Sequence, residues 1–120
     1  MKFIIPFRTP TINHLYWHRG NIKIMTNEAK KLREKIKKIV KEQDSSELKN
    51  KKLFVGVEIY ENWNTQKGEV KRLDVSNREK FLVDSIFEAL GIDDKFIFEQ
   101  YFRKVQSNSE KAIIEIRKAV

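Results

Sequence analysis

Apolar and polar positions along the chain change period several times, and each change marks an element. Residues 2–6 form a short apolar run closed by Pro6, which predicts a brief strand. Residues 10–20, PTINHLYWHRG, show no period and predict an irregular loop rich in rings and amides, and 21–25 alternate weakly as a second short strand. From a cap at Thr26 or Asn27, Ala29, Leu32, Ile36, Ile39 and Val40 recur at helical spacing, which predicts a helix to about Gln43. Residues 44–52 are polar and loop-like. Leu53, Val55, Val57 and Ile59 then alternate with Phe54, Gly56, Glu58 and Tyr60, the clearest strand pattern in the chain, ending at Glu61.

Residues 62–68 are turn material and 69–73 extended. Ser76-Asn-Arg-Glu79 matches a capping box, in which the serine hydroxyl and the glutamate each satisfy a backbone N–H. The helix it opens runs to Leu90, with Leu82, Val83, Ile86, Ala89 and Leu90 on the buried arc and Gly91 as its stop. Residues 96–105 and 111–118 are two further strands. This order predicts an α/β fold of mixed α+β character: a single small domain over residues 1–120, a mixed sheet with two main helices packed on it.

Composition narrows the function. The absence of cysteine excludes disulfides, thiolate zinc clusters and thiol nucleophiles. The apolar runs are too short to span a bilayer, and Pro6, Arg8 and Pro10 break any signal-peptide pattern, so a cytoplasmic protein is expected. The four glycines, at 20, 56, 68 and 91, are too scattered for a P-loop. The net charge is +8, and residues 30–52 hold most of it as a lysine-rich stretch. Such a field attracts phosphates through counterion release, although a solvated helix face has the same composition.

His14 and His18 stand four apart in a loop, a poor setting for a metal pair, and contact with substrate suits them better. The carboxylates say more. Asp74 precedes the second helix, and Asp93 and Asp94 follow its glycine stop, about 20 Å away at 1.5 Å per residue. They meet only if neighbouring strands bring the segments back together, or if another chain contributes. On a helical wheel Asn77, Lys80 and Asp84 share one edge, away from the apolar arc.

Together these segments resemble the RusA family of Holliday-junction resolvases. Its pattern is a basic run, Asp-x-Asp-Asn, a lysine three residues on, an apolar helix with an Asp, and a paired Asp-Asp. The matching positions are Lys71-Arg72, Asp74, Asn77, Lys80, Asp84 and Asp93-Asp94. The opening segment, with Asn13 and Tyr16 or Trp17, is similar to the family's Pro-x-x-Asn-x-x-Tyr. Ser76 departs from the pattern, standing where the family has its second Asp; it keeps the helix cap but is a far poorer magnesium ligand.

The resemblance implies a magnesium-dependent endonuclease, with manganese as an alternative ion, that cuts four-way DNA junctions as a homodimer. It implies Asp74, Asp93 and Asp94 as ligands, Lys80 as the catalytic lysine, and Asn77 and Ser76 as supporting residues. Asp84 either takes over the missing carboxylate's role or solvates the helix. Asn13, Tyr16, Trp17, His18, Arg19, Lys71 and Arg72 are the expected DNA contacts. Two other readings remain: a branched-DNA-binding protein that has lost catalysis with Ser76, and a small RNA-binding module.

Overall fold

Alternating side chains build the scaffold, and the computed structural model describes residues 1–10, 16–72 and 76–120, with the backbone alone for Tyr16, Trp17, Arg19, Ser76 and Asn77. Strands β1 (Lys2–Ile5), β2 (Tyr16–Arg19), β3 (Ile22–Met25), β4 (Leu53–Glu61), β5 (Ile97–Gln106) and β6 (Lys111–Lys118) accompany helices α1 (Asn27–Lys41) and α2 (Ser76–Leu90). Four strands form a mixed sheet in the order β1-β6-β4-β5, with β4 and β5 parallel and the other pairs antiparallel. The α/β expectation, a mixed sheet with two helices, holds. A parallel pair needs a crossover, and α2 lies on the path from β4 to β5.

One sheet face forms the core floor. Phe3, Ile5, Val55, Val57, Ile114 and Ile116 are all buried there, against Ile36 and Val40 of α1 and Leu82 and Ile86 of α2. Full burial of each such side chain contributes about 1.5–3 kcal/mol. The buried arc of α2 is broader than its spacing predicts, because Phe81 and Phe87 are buried as well, while Ala89 only borders the core.

Helix α1 starts as expected. The Thr26 hydroxyl accepts from the Ala29 N–H at 3.2 Å, Glu28 sits in the first turn, and Lys38 and Lys41 sit in the last. Its lysine face is not wholly solvated. Lys37 donates to Glu88 of α2 at 2.8 Å, and Arg33 approaches the same carboxylate at 3.4 Å. The hydrogen bond from Lys37 holds the Glu88 carboxyl below its usual range, and the same bond raises Lys37.

Some boundaries differ from the pattern. Within the expected loop 10–20, residues 16–19 form β2, which pairs with β3 so that Arg19 faces Ile22. The two residues left between them are Gly20 and Asn21, and Gly20 takes φ +62°, a two-residue hairpin turn that the ring-rich flank obscured. In 44–52, Ser46–Leu48 winds into a short 3-10 turn that buries Leu48. Of the expected extended segment 69–73, the described part makes one bridge, Asn64 with Val70. Phe96 belongs to a 3-10 turn, Asp94–Phe96, that precedes β5.

The end of α2 sets up the site. Gly91 adopts φ +69°, the Gly91 N–H donates to the Glu88 carbonyl at 3.2 Å, and the Ile92 N–H reaches the Phe87 carbonyl at 3.1 Å. This paired closure reverses the chain, so that Asp94 turns back beside the helix it follows. Among the described residues, no helix is long and apolar enough to cross a membrane.

Candidate active site

Two charged side chains inside the core hold the first turn of α2. Arg78 and Glu61 are buried, and the guanidinium forks onto the carboxylate at 2.7 Å and 3.3 Å. The same nitrogen that makes the shorter bond also donates to the Thr9 carbonyl at 3.1 Å, and Arg8 lies 3.5 Å from Glu61. The Trp63 ring packs beneath the guanidinium, while its indole N–H donates to the Ile59 carbonyl at 3.1 Å. The end of β4, the segment after β1 and the start of α2 are thereby clamped together. Sequence reasoning missed both residues as anchors. The signal was present: Glu61 continues the inward series Leu53, Val55, Val57, Ile59, and Arg78 lies one turn before Leu82 on the apolar arc.

From this anchored turn α2 presents Lys80 and Asp84, whose charged groups lie 3.4 Å apart, with Lys80 more exposed than Asp84. The wheel placed both on one edge, and the ion pair agrees. Glu79 joins them. Burial pushes its carboxyl above the usual range, the negative charge of Asp84 pushes it further, and Lys80 opposes both. Glu79 was legible only as part of a cap, and Ser76, its partner there, is described by backbone alone.

Asp94 returns to the flank of this helix. It shares a surface hollow of about 310 Å³ with Val83, Ile97, Phe98 and Gln100, and Val83 lies one turn beyond Lys80. Asp93 turns elsewhere. Its carboxylate accepts from the Lys95 N–H at 2.9 Å and caps the 3-10 turn, beside Lys49, Asn50 and Phe96. The Asp-Asp pair is thus split between two hollows by the cap.

The remaining expected residues are dispersed. Lys71 donates to the Asn62 carbonyl at 2.9 Å, and its N–H to the Trp63 carbonyl at 2.8 Å, so it closes the 62–71 loop, while Arg72 is exposed. His18 is exposed on β2, where Tyr16, Trp17 and Arg19 contribute backbone pairing to β3. Asn13, His14 and Asp74 lie outside the described residues; Ser76 and Asn77 open α2. Among the described residues, no three His, Asp or Glu side chains converge as a ready metal-holding group.

A comparison with protein families adds the deciding observation: the family model for the endodeoxyribonuclease RusA matches residues 6–117. The chain belongs to the RusA endodeoxyribonuclease family. No curated protein matches it. Membership in the RusA family makes phosphodiester hydrolysis in DNA the family-level activity. It also bears out the resemblance drawn from Lys71–Asp94, over nearly the whole chain.

Two stability measurements probe this region. Arg78→Met leaves Glu61 buried with only Arg8 nearby, so urea unfolding should show a loss of about 3 kcal/mol. A double variant, Arg78→Met with Glu61→Leu, should recover a large part of that loss; additive losses would show that the two groups are not coupled. The second concerns Glu79. Well below the ordinary carboxylate value of 4.5 it is protonated whether the chain is folded or not, and costs nothing. Above its raised folded value it is ionised in both states and the folded chain bears the full penalty. Glu79→Gln should therefore stabilise the protein at pH 7, with the gain fading as pH falls through the raised folded value and gone below about 4.5. A gain that is constant with pH would assign the effect to packing.

Proposed function

We propose that residues 1–120 form one RusA-like domain that cuts four-way DNA junctions as a homodimer, with magnesium, or manganese in its place, as the required ion. The observation that carries this reading is the return of Asp94 to a hollow it shares with Val83 of α2, in a chain matched to the family from residue 6 to residue 117. The donor set fits a hard divalent cation, since it consists of carboxylates in a chain without cysteine. Asp74 and Asp94 would hold the ion, with Asp84 as a further ligand. When bound, magnesium supplies Lewis acidity at phosphorus and a water of lowered pKa.

The chain's own groups do the rest. Lys80 reaches from the exposed edge of α2 to neutralise charge developing on the phosphoryl oxygens, and Asp84 holds its ammonium near that edge. Asp93 caps the turn that presents Asp94, which makes it a positioning residue in this reading. Asn77 and Ser76 stand at the start of α2, where Asn77 orients a ligand and Ser76 caps the helix. The DNA is held through phosphates by Arg72 and the basic stretch 30–52, with Asn13, Tyr16, Trp17, His18 and Arg19 contacting the branch and Lys71 bracing the loop beside it. A two-fold symmetric junction needs two such sites, which is the reason for a homodimer.

Ser76 favours one second reading, a branched-DNA-binding protein without turnover, because it removes a carboxylate from the family pattern. A labelled four-way junction decides between them. Cleavage that requires magnesium supports the nuclease; binding in chelator with no cleavage on adding metal supports the second reading.

Asp74→Asn and Asp94→Asn should each abolish cleavage, by at least about 100-fold, and leave junction affinity within about threefold, since carboxylates hold metal while cations hold phosphate. Cleavage near the parent rate in both variants would overturn the site assignment. A magnesium titration separates the roles of Ser76 and Asp84. If the site lacks a carboxylate, Ser76→Asp lowers the magnesium needed for half-maximal cleavage while keeping the helix cap. If Asp84 has taken over, Ser76→Asp does little and Asp84→Asn is as damaging as Asp74→Asn. A titration unmoved by either change places both residues away from the metal.

A further inference from the structure

β5 is an edge strand of the four-stranded sheet, and its pairing with β4 opens on an irregularity. Leu53 faces Ile97, whereas the next residue, Phe54, faces Glu99. Phe98 is therefore an extra residue, a β-bulge at the start of the strand. Bulges bend an edge and re-aim a side chain that regular pairing would place elsewhere. Phe96, Ile97 and Phe102 pack against the core, while Phe98 stands out of it, 60% exposed.

A single exposed phenyl group needs no partner for its own sake. Its surroundings give it one. Phe98 lines the hollow of about 310 Å³ that also holds Asp94, Val83, Ile97 and Gln100. The Lys52 ammonium lies 4.9 Å from the centre of the ring. An apolar ring, a side-chain amide and a cation thus gather beside a carboxylate of the candidate site. A nucleobase calls for the first two, since it presents a π-face and an edge of donors and acceptors. Its phosphate calls for the third. The Gln100 amide carries a donor and an acceptor together, so it can meet two neighbouring positions on one base edge. The volume falls at the small end of ordinary ligand sites, roughly 300–1,000 Å³.

We propose that this hollow is a nucleobase site. The base next to the phosphate being cut stacks on Phe98 and offers its edge to Gln100, while Lys52 holds a flanking phosphate. Bases at the branch of an open junction lack the continuous stack of a duplex, so drawing one into the hollow costs less there. The proposal rests on the DNA-cutting reading above and adds to it the residues that read sequence at the cut.

Titration of a fluorescently labelled four-way junction in chelator, where nothing is cut, tests it. Losing one stacked base weakens binding by about 5- to 150-fold, so Phe98→Ala should fall in that range. Phe98→Trp keeps a stacking face and should bind as the parent does. Phe98→Leu, apolar without such a face, should bind like Phe98→Ala. None of the three should change the slope of log affinity against log salt, because no phosphate contact is lost. Lys52→Gln should flatten that slope by about 0.9. Across four junctions that differ only in the base at the crossover, parent affinities should spread by at least about fivefold, and Gln100→Leu should compress the spread. Should Phe98→Ala lose its circular dichroism spectrum, Phe98→Leu against Phe98→Trp decides. Parent affinity in Phe98→Ala or Phe98→Leu, a salt slope flattened by Phe98→Ala, or a spread untouched by Gln100→Leu would each overturn the proposal. Cleavage is scored separately. A protein that cuts and is indifferent to Phe98 removes this site alone, and one that depends on Phe98 for binding but never cuts removes the nuclease reading alone.

Discussion

The Arg78–Glu61 pair is the constraint on which the arrangement of the candidate site depends. Removing two charges from water costs several kcal/mol per ion, and mutual attraction offsets this only when geometry is good and the spare hydrogen-bonding capacity is used. Here the fork contributes two contacts, the Thr9 carbonyl takes another and the Trp63 ring lies against the guanidinium, while the buried Arg78 Nε is left without a hydrogen-bond partner among the described residues. An apolar pair of similar volume could hold the same elements with less loss of hydration. It would not fix the helix rotation as closely, because apolar contacts are not directional while a fork is. That rotation decides which edge of α2 carries Lys80 and Asp84 into solvent.

A second set of contacts holds the far end of α2. Glu88 receives Lys37 and Arg33 from α1, and the Arg33 Nε also donates to the Ser85 hydroxyl at 3.3 Å. The helix is thus clamped to the sheet at its start and to α1 toward its end. The residues between, from Glu79 to Asp84, are left on a rigid support. Rigidity matters because a cluster of carboxylates beside a lysine works only while its spacing is kept. The crowding of negative charge is visible in Glu79, whose carboxyl is driven up by burial and by Asp84.

Much of the fold was legible because periodicity is strong where one face is buried. Leu53 to Ile59 alternate without a break, and both helices repeat their apolar residues at helical spacing. What escaped had a physical reason. β2 belongs to a small ribbon apart from the main sheet, so nothing forces its residues to alternate, and its one signal, the Gly20-Asn21 turn, was obscured by the ring-rich flank. Glu61 and Arg78 read as polar interruptions because each alone would be costly in a core; their pairing joins segments 17 residues apart. In the site, the Lys80–Asp84 pair follows from helical spacing alone. The return of Asp94 does not, since it depends on the closure at Gly91 and on the register of β5 with β4. The parting of Asp93 from Asp94 depends on a cap that the sequence shows only as two adjacent acids.

The pairing of β1 with β6 has a consequence for how the protein is made. Lys2 faces Glu115 and Phe3 faces Ile114, so the first strand of this sheet in chain order docks on the last. The Met1 amino group also donates to the Ile116 carbonyl at 3.0 Å. At about 5–20 residues per second, the stretch between these partners takes roughly 6–22 s to translate. For that interval Phe3 and Ile5 have no strand to pair with, and the edge of β1 is open to other chains. Completion of the sheet therefore waits until β6 has been made, and contacts so distant in sequence slow it further.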